Sequence, residues 1–205
     1  MALNFDGIND RLSNTSAAAG LVSANVFAIM MWFKPANLTQ TNRYLYQEWV
    51  DASNQTAIIW EYVNNTIEFY AEGFTGTQPR TDSGIVLADT DWHHIAYVKK
   101  ASGLSEWAKY LDGVKTVINS SIDFTLSGTN DDVYVGDSNG SSSPTNCLLA
   151  DIRIYTVALT DDDVVWAMRG GIPRGAPARW WPLWGTTSPE PDWSTNGKSL
   201  TVSGA

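Results

Sequence analysis

The run Ala108-Lys109-Tyr110-Leu111-Asp112-Gly113-Val114-Lys115-Thr116-Val117 decides the fold class of this chain. Two short segments rich in β-forming residues flank its central Asp-Gly dipeptide. Asp-Gly is a strong signal for a two-residue hairpin turn, because it accommodates the positive φ angles that such a turn needs. The run therefore predicts two antiparallel strands joined by a tight turn.

Further runs of the same kind lie on both sides of this hairpin. They are short, alternating or continuously apolar, and they cover residues 26–33, 43–50, 57–63, 66–71, 93–99, 133–135 and 148–155. Clusters of Asn, Asp, Gly, Ser and Thr separate them. Many short strands with turn residues between them predict an antiparallel sandwich.

One helix is predicted, near residues 161–169. Thr160 is a good N-cap residue, and the three aspartates that follow it occupy the first turn, where the helix dipole favours anions. The pair Gly170-Gly171 ends the helix, since glycine readily adopts the backbone conformation that closes a helix.

Four segments resemble, in the same order, parts of laminin-G-like and concanavalin A-like jelly rolls. They are Leu3-Asn4-Phe5-Asp6-Gly7-Ile8-Asn9-Asp10-Arg11-Leu12, Asp91-Trp92-His93-His94-Ile95-Ala96-Tyr97-Val98, Tyr110-Leu111-Asp112-Gly113 and Ala150-Asp151-Ile152-Arg153-Ile154-Tyr155. The resemblance covers about residues 2–171. It implies an all-β fold in which two antiparallel sheets stack as a jelly-roll sandwich with one short helix.

The C-terminal segment resembles one that commonly precedes the first strand of such domains. It contains Trp180-Trp181-Pro182-Leu183-Trp184-Gly185 and Leu200-Thr201-Val202-Ser203-Gly204. A permuted order is tolerated when the chain ends lie close together at the surface. We therefore expect a single domain over residues 1–205, in which residues 180–203 return as strands beside the N-terminal strand.

Charge and composition exclude several classes of protein. The formal net charge is −9 and no basic stripe is present, so a nucleic-acid partner is not expected. Cys147 is the single cysteine, which excludes an intrachain disulfide. The longest apolar run has eight residues, too few to cross a bilayer, and residues 1–7 lack the pattern of a signal peptide.

The 10 Trp residues allow two interpretations. Large aromatic side chains fill sandwich cores, but exposed ones stack on the C–H faces of sugar rings. Trp32 and Trp92 lie in apolar strands and are expected in the core. The tryptophans of residues 180–193 are expected to close one end of the sandwich. The candidates for ligand binding are Trp49, Trp60 and Tyr62.

The family resemblance also implies a bound calcium ion. Many relatives hold one on the sandwich through an acid near the first strand and an Asp of the last strand, and the matching positions are Asp10 and Asp151. Carboxylate oxygens are the ligands that calcium prefers. In the alternative interpretation Asp10 closes a local turn and Asp151 pairs with Arg153. Asp192 is a further candidate ligand.

No catalytic residues are predicted. Glycoside hydrolysis needs two carboxylates across the scissile bond, and the run of acids that hydrolytic relatives carry on one strand is missing. His93 and His94 alternate on a strand, so they point to opposite faces and cannot bind one metal ion together.

The expected function is that of a non-catalytic interaction protein on a virion surface, as a capsid decoration protein or a fibre or tail adhesin. The resemblance to jelly rolls encoded by bacteriophages implies viral capsid or tail proteins and surface glycans as partners, with assembly as a homo-oligomer or on a larger particle. The alternatives are a free calcium-dependent carbohydrate-binding lectin and a glycan hydrolase.

Overall fold

The computed structural model describes residues 1–18, 26–39, 42–51, 54–61, 65–72, 84–100, 107–118, 132–139, 143–185 and 188–204. In chain order the elements of these ranges are β1 (Leu3–Asp6), β2 (Arg11–Asn14), β3 (Phe27–Pro35), β4 (Arg43–Asp51), β5 (Asn54–Glu61), β6 (Thr66–Glu72), β7 (Ile85–Val86), β8 (His93–Lys99), β9 (Trp107–Leu111), β10 (Val114–Ile118), β11 (Asp132–Val135), β12 (Asn146–Tyr155), α1 (Asp161–Met168), β13 (Arg179–Trp181) and β14 (Thr201–Ser203).

The strands form two antiparallel sheets. The first sheet has the order β1-β12-β3-β8-β9-β10, and β13 also pairs with β12. The second sheet has the order β14-β2-β11-β4-β5-β6-β7. This arrangement confirms the predicted two-sheet sandwich of the jelly-roll type.

The hairpin predicted at Asp112-Gly113 is also confirmed. Strands β9 and β10 pair in a register that sets Leu111 opposite Val114, so the two residues between them form the turn. Asp112 has a φ of 51° and Gly113 a φ of 80°. Positive angles at both positions match the turn geometry that suits the twist of a hairpin.

The C-terminal segment contributes one strand to each sheet. β14 pairs with β2 in the second sheet. β1 and β13 pair with the same edge of β12. β1 pairs with the first half of β12, and β13 pairs with the second half. β13 is thus a neighbour of β1 along one edge, and it ends at Trp181 because Pro182 cannot continue the ladder.

The main core lies between the two sheets. Side chains alternate along each strand, so β3 directs Phe27, Ile29, Met31 and Phe33 to this core. The largest side chains that are fully enclosed include Trp60, Trp181, Tyr46 and Tyr97. Burial of this apolar surface is the main favourable contribution to folding.

Helix α1 packs on the outer face of the first sheet. Val164 and Ala167 form a second apolar cluster with Ala28 and Met30, which point away from the main core. A capping box between Thr160 and Asp163 begins the helix where the sequence predicts it. The helix has eight residues, so it covers only part of the sheet, and the uncovered part carries the site described below.

Among the described residues, no helix has the length and apolar character needed to cross a membrane.

Candidate functional site

An open groove of about 770 Å³ lies on the outer face of the first sheet. Five tryptophans line it together with Asp151, Arg153 and other apolar residues, and we call it the tryptophan groove. The five are Trp32, Trp92, Trp180, Trp184 and Trp193. Concave, largely aromatic surfaces with a few polar groups are the usual form of ligand sites.

Strand pairing brings the floor of the groove together. Ala150 pairs with Trp32 across β12 and β3, and Arg153 pairs with Trp180 across β12 and β13. In a regular strand, residues three apart point to opposite faces. The register of β12 shifts between Ala150 and Arg153, so both residues face the groove.

Asp151 lies in this irregular part of β12 and adopts a positive φ of 54°. Its backbone N–H donates to the carbonyl oxygen of Pro182 at 3.0 Å. Short polar residues such as Asp tolerate this conformation better than larger ones. The bulge therefore both redirects Arg153 and fixes the segment that follows β13.

Asp151 and Arg153 form a bidentate ion pair in the groove. Arg153 donates from Nε and Nη2 to the two carboxylate oxygens at 2.8 and 2.7 Å, and from Nη1 to the carbonyl oxygen of Gly171 at 2.5 Å. The Trp180 indole N–H donates to Asp151 Oδ1 at 2.7 Å. The guanidinium carbon of Arg153 lies 4.6 Å from the centre of the Trp180 ring, a cation–π contact. Trp180 is therefore held from two directions.

Three tryptophans form a continuous aromatic series along the groove. The ring centres of Trp180 and Trp193 are 5.5 Å apart, and those of Trp193 and Trp184 are 4.5 Å apart. Both pairs meet edge to face, at 69° and 83°, which is a favoured geometry for aromatic rings. Trp184 keeps 40% of its surface exposed and Trp193 47%, so both can contact a ligand.

Asp192 fixes the loop that carries Trp193. Its carboxylate accepts backbone hydrogen bonds from Trp180 at 3.0 Å, Ser194 at 2.8 Å and Lys198 at 2.8 Å. Both oxygens of the Asp192 carboxylate, a candidate calcium ligand, therefore already accept hydrogen bonds from the backbone of the chain. Asp192 positions the aromatic series rather than contacting the groove itself.

The two histidines occupy different environments, on opposite faces of β8. His94 lies against the edge of Trp32, with ring centres 5.4 Å apart, and burial lowers its pKa to about 4. Burial also acts to lower the pKa of His93, but hydrogen bonds to Asp112 and Asp89, at 2.9 and 3.0 Å, outweigh it and raise that pKa. His94 is therefore neutral beneath the groove, whereas His93 favours its charged form.

Two of the three predicted ligand-binding aromatics, Trp60 and Trp49, lie outside the groove. Trp60 is fully buried in the core and meets Phe33 edge to face, so its ring has no face for a ligand. Trp49 is half-buried on β4 in the second sheet, outside the groove. Tyr62 lies outside the described residues. Trp60 is therefore not retained as a candidate.

The predicted calcium ligands are not brought together. Asp10 accepts a hydrogen bond from the backbone of Asp6, and Asp6 pairs with Asn146 at the start of β12. Asp151 lies five residues beyond Asn146 along β12, which places it roughly 15 Å from Asn146 at the usual rise of a strand. Asp151 pairs with Arg153, whose positive charge opposes a nearby cation.

This pair of aspartates therefore does not fit one shared calcium ion. The described residues also contain no group of three or more His, Cys, Asp or Glu side chains arranged for a metal. Calcium binding by the chain stays a prediction, which titration of metal-free protein with CaCl₂ would check.

The prediction that Trp32 and Trp92 lie in the core is wrong, because both line the groove. Three of the tryptophans predicted to close one end of the sandwich line it as well. Trp92 precedes β8 and is 37% exposed, and Trp32 is half-buried at the groove because α1 does not extend over this part of β3. Of the tryptophans of residues 180–193, Trp181 alone is fully buried. Their density in this short segment was the signal available for the site.

Several solved structures are similar to this fold. Domain 4 of AbnA, an extracellular GH43 arabinanase from Geobacillus stearothermophilus solved with arabinotriose, is 21% identical with a TM-score of 0.55, covering 71% of this chain and 68% of that one. A candidate carbohydrate-binding protein from Bacteroides ovatus is 15% identical with a TM-score of 0.65, covering 99% of this chain and 58% of that one. A heptameric SAP-like pentraxin from Limulus polyphemus is 16% identical with a TM-score of 0.56, covering 98% and 93%. At these identities the likeness establishes the fold alone.

No curated protein matches the chain by sequence. A family model matches residues 8–165, which is most of the chain and includes the hairpin and the strands β3 and β12 under the groove. The chain therefore belongs to the concanavalin A-like lectin/glucanases superfamily.

Proposed function

We propose that the chain is a non-catalytic carbohydrate-binding protein whose ligand lies in the tryptophan groove. The observation that carries the proposal is the convergence of five tryptophans on one open surface. One face of a sugar ring is a row of C–H bonds, which packs favourably against an indole ring. An exposed aromatic surface beside a few fixed polar groups suits such a ligand.

The groove is also organised before any ligand arrives. Trp180 is held by Asp151 and Arg153, and the loop of Trp193 is held by Asp192. Side chains that are already fixed lose little conformational freedom on binding, which favours affinity. Trp180 and Trp193 are thus held in place before a ligand binds.

The charged groups of the groove favour binding over hydrolysis. Asp151 is the one carboxylate among the described residues that line it, and it is paired with Arg153. Glycoside hydrolysis requires two carboxyl groups on either side of the scissile bond. We expect no release of reducing sugar from any glycan that binds here.

The relatives support the same class of ligand. The arabinanase domain was solved with arabinotriose, and the Bacteroides protein is described as a candidate carbohydrate-binding protein. Arabino-oligosaccharides are therefore included among the first probes for this chain.

A glycan array followed by calorimetry tests the proposal, with Trp184→Ala as the variant. Trp184 is 40% exposed, so its loss should leave the fold intact and lower affinity for the strongest array ligand by about tenfold. Trp166→Ala is the matched control, because Trp166 is 57% exposed on α1 and does not line the groove. Equal binding by both variants, or no glycan bound at all, would refute the proposal.

The proposal also includes where the protein acts and which proteins it binds. A virion-surface role, with capsid or tail proteins as partners and self-association, rests on the sequence resemblance. Copurification of the chain with intact phage particles, and its mass in solution by light scattering, would test these two points separately.

A further inference from the structure

The tryptophan groove borders a second, smaller cleft on the same face of the first sheet, and three polar side chains are part of its lining. This cleft has a volume of about 200 Å³, and its lining includes Asn4, Lys34, Asn146 and Leu148. Leu148 also lines the tryptophan groove. We infer that the two form one continuous site, so that the ligand is a segment of an oligosaccharide chain rather than a single sugar. This inference rests on the proposed function.

The strand register sets the cleft directly beside the groove. Leu148 pairs with Asn4 of β1 on one side and with Lys34 of β3 on the other, so these three residues form one row across three strands. The next row along the strands contains Ala150 and its partner Trp32, which belong to the groove. Successive rows on one face of a sheet are about 7 Å apart.

The site therefore extends well beyond one sugar ring. From Ala150 to Asn146 the strand β12 runs four residues, or about 13 Å. Arg153 and Trp180 extend the same face in the other direction. A ligand that touches both ends must be longer than a disaccharide.

The chemistry of the two parts is complementary. The groove offers aromatic faces, and the cleft offers an ammonium group and two carboxamides. Lysine donates up to three hydrogen bonds, and each asparagine both donates and accepts, which matches the hydroxyl groups of a sugar. Stacking in the groove would hold the chain, and hydrogen bonds in the cleft would select the arrangement of hydroxyl groups further along it.

Calorimetry with arabino-, xylo-, cello- and malto-oligosaccharides, from disaccharide to hexasaccharide, tests the inference. In a series that binds, affinity should rise with chain length up to at least the tetrasaccharide. Lys34→Ala should lower affinity for the tetrasaccharide by about tenfold, the effect of one hydrogen bond to a charged group, and leave disaccharide affinity unchanged. Lys115→Ala is the matched control, because Lys115 lies on β10 at the opposite edge of the sheet.

The outcomes separate this inference from the proposed function. If Trp184→Ala lowers affinity by about tenfold but affinity is the same from disaccharide to hexasaccharide, the groove binds sugar and the continuous site is wrong. The same holds if Lys34→Ala weakens short and long ligands equally, or if array ligands bind while all four series fail. If no glycan binds at all, both proposals fail together.

Discussion

Arg153 and Asp151 illustrate how two residues of opposite charge make an aromatic surface possible. The side chain of Arg153 is only 4% exposed and that of Asp151 25%. A buried charge without a partner is costly, whereas a bidentate pair with further hydrogen bonds offsets most of that cost. The positive charge of Arg153 and the negative charge of Asp151 cancel. The pair therefore places fixed hydrogen-bonding groups beside Trp180 without adding net charge to the groove.

Asp151→Asn is expected to destabilise the protein by about 2–3 kcal/mol, because it leaves the Arg153 guanidinium buried without its counter-charge. Asparagine has nearly the same shape and tolerates the positive φ of this position, so the substitution isolates the charge. Urea unfolding of both proteins measures the difference. Asp91→Asn, on an exposed turn, is the control and should change stability by less than about 0.5 kcal/mol.

His93 and His94 should respond to pH in opposite directions. Because Asp112 and Asp89 raise the pKa of His93, its stabilising charge is present at low pH and is lost as pH rises through that pKa. Burial lowers the pKa of His94 to about 4, so its contribution is present above its ordinary pKa and is lost as pH falls towards 4. Imidazole NMR signals followed from about pH 2.5 to 9 should show two separate transitions. A single transition of both rings near their ordinary pKa would contradict this.

The sequence predicted the strand face on which each side chain lies better than it predicted how exposed that side chain is. Alternation placed His93 and His94 on opposite faces of one strand, as the two environments show. Alternation also sets Trp32 on the same face as Met30, but Met30 is covered by α1 and Trp32 is not. How far one element covers another depends on tertiary packing, and no local pattern around Trp32 encodes it.

At the level of elements, β1 and the turn after β11 approach each other so closely that position 136 accepts only glycine, which has no Cβ atom. Gly136 has a φ of 80°, and a Cβ atom there would lie 2.1 Å from Phe5 Cδ1. Phe5 is fully buried in the core and cannot easily move. The absence of a side chain at Gly136 thus allows the two sheets to meet at this end.

Gly136→Ala is expected to be much more destabilising than Gly170→Ala. Both glycines have positive φ, which costs an L-residue about 1–2 kcal/mol. At Gly170 an added Cβ meets no atom within 4 Å, whereas at Gly136 it collides with Phe5, which should add about 1–3 kcal/mol. Thermal unfolding of the two variants measures the difference, and equal stability would show that Phe5 adapts without cost.

Elements with local signals could be predicted, and those that depend on distant partners could not. The turn at Asp112-Gly113 and the N-cap at Thr160 follow from the conformational preferences of those residues themselves. The bulge at Asp151 has no such signal, because it depends on the different partners of β12 on either side of it. The orientation of Arg153 towards the groove therefore could not be predicted.

At the scale of the whole molecule, the C-terminal segment is anchored in the core through Leu200. Leu200 is fully buried between the sheets, and its backbone exchanges two hydrogen bonds with Glu190. β14 then pairs with β2, which lies near the other end of the chain. The resemblance predicted that residues 180–203 return as strands, and β13 and β14 lie at the two ends of that segment. It did not predict the bridge between Leu200 and Glu190 that positions β14.

Leu200→Ala should therefore destabilise the protein by about 2–5 kcal/mol, as expected for a buried leucine whose loss leaves a cavity. Val157→Ala, at a position that is 44% exposed, serves as the comparison and should cost less than about 1 kcal/mol. Denaturant unfolding gives both values. A cost at Leu200 no greater than that at Val157 would mean that the C-terminal segment folds independently of the sandwich.

The division of the groove between strands and loops has a consequence for how the protein can evolve. Trp32 and Trp180 belong to paired strands, where substitutions disturb the sheet, but Trp184 and Trp193 lie in the connection between β13 and β14. Connections on a rigid scaffold accept insertions and substitutions at little cost. Selection can therefore alter half of the groove without altering the sandwich, so related chains could acquire new ligand preferences while they retain the same fold and the same stability.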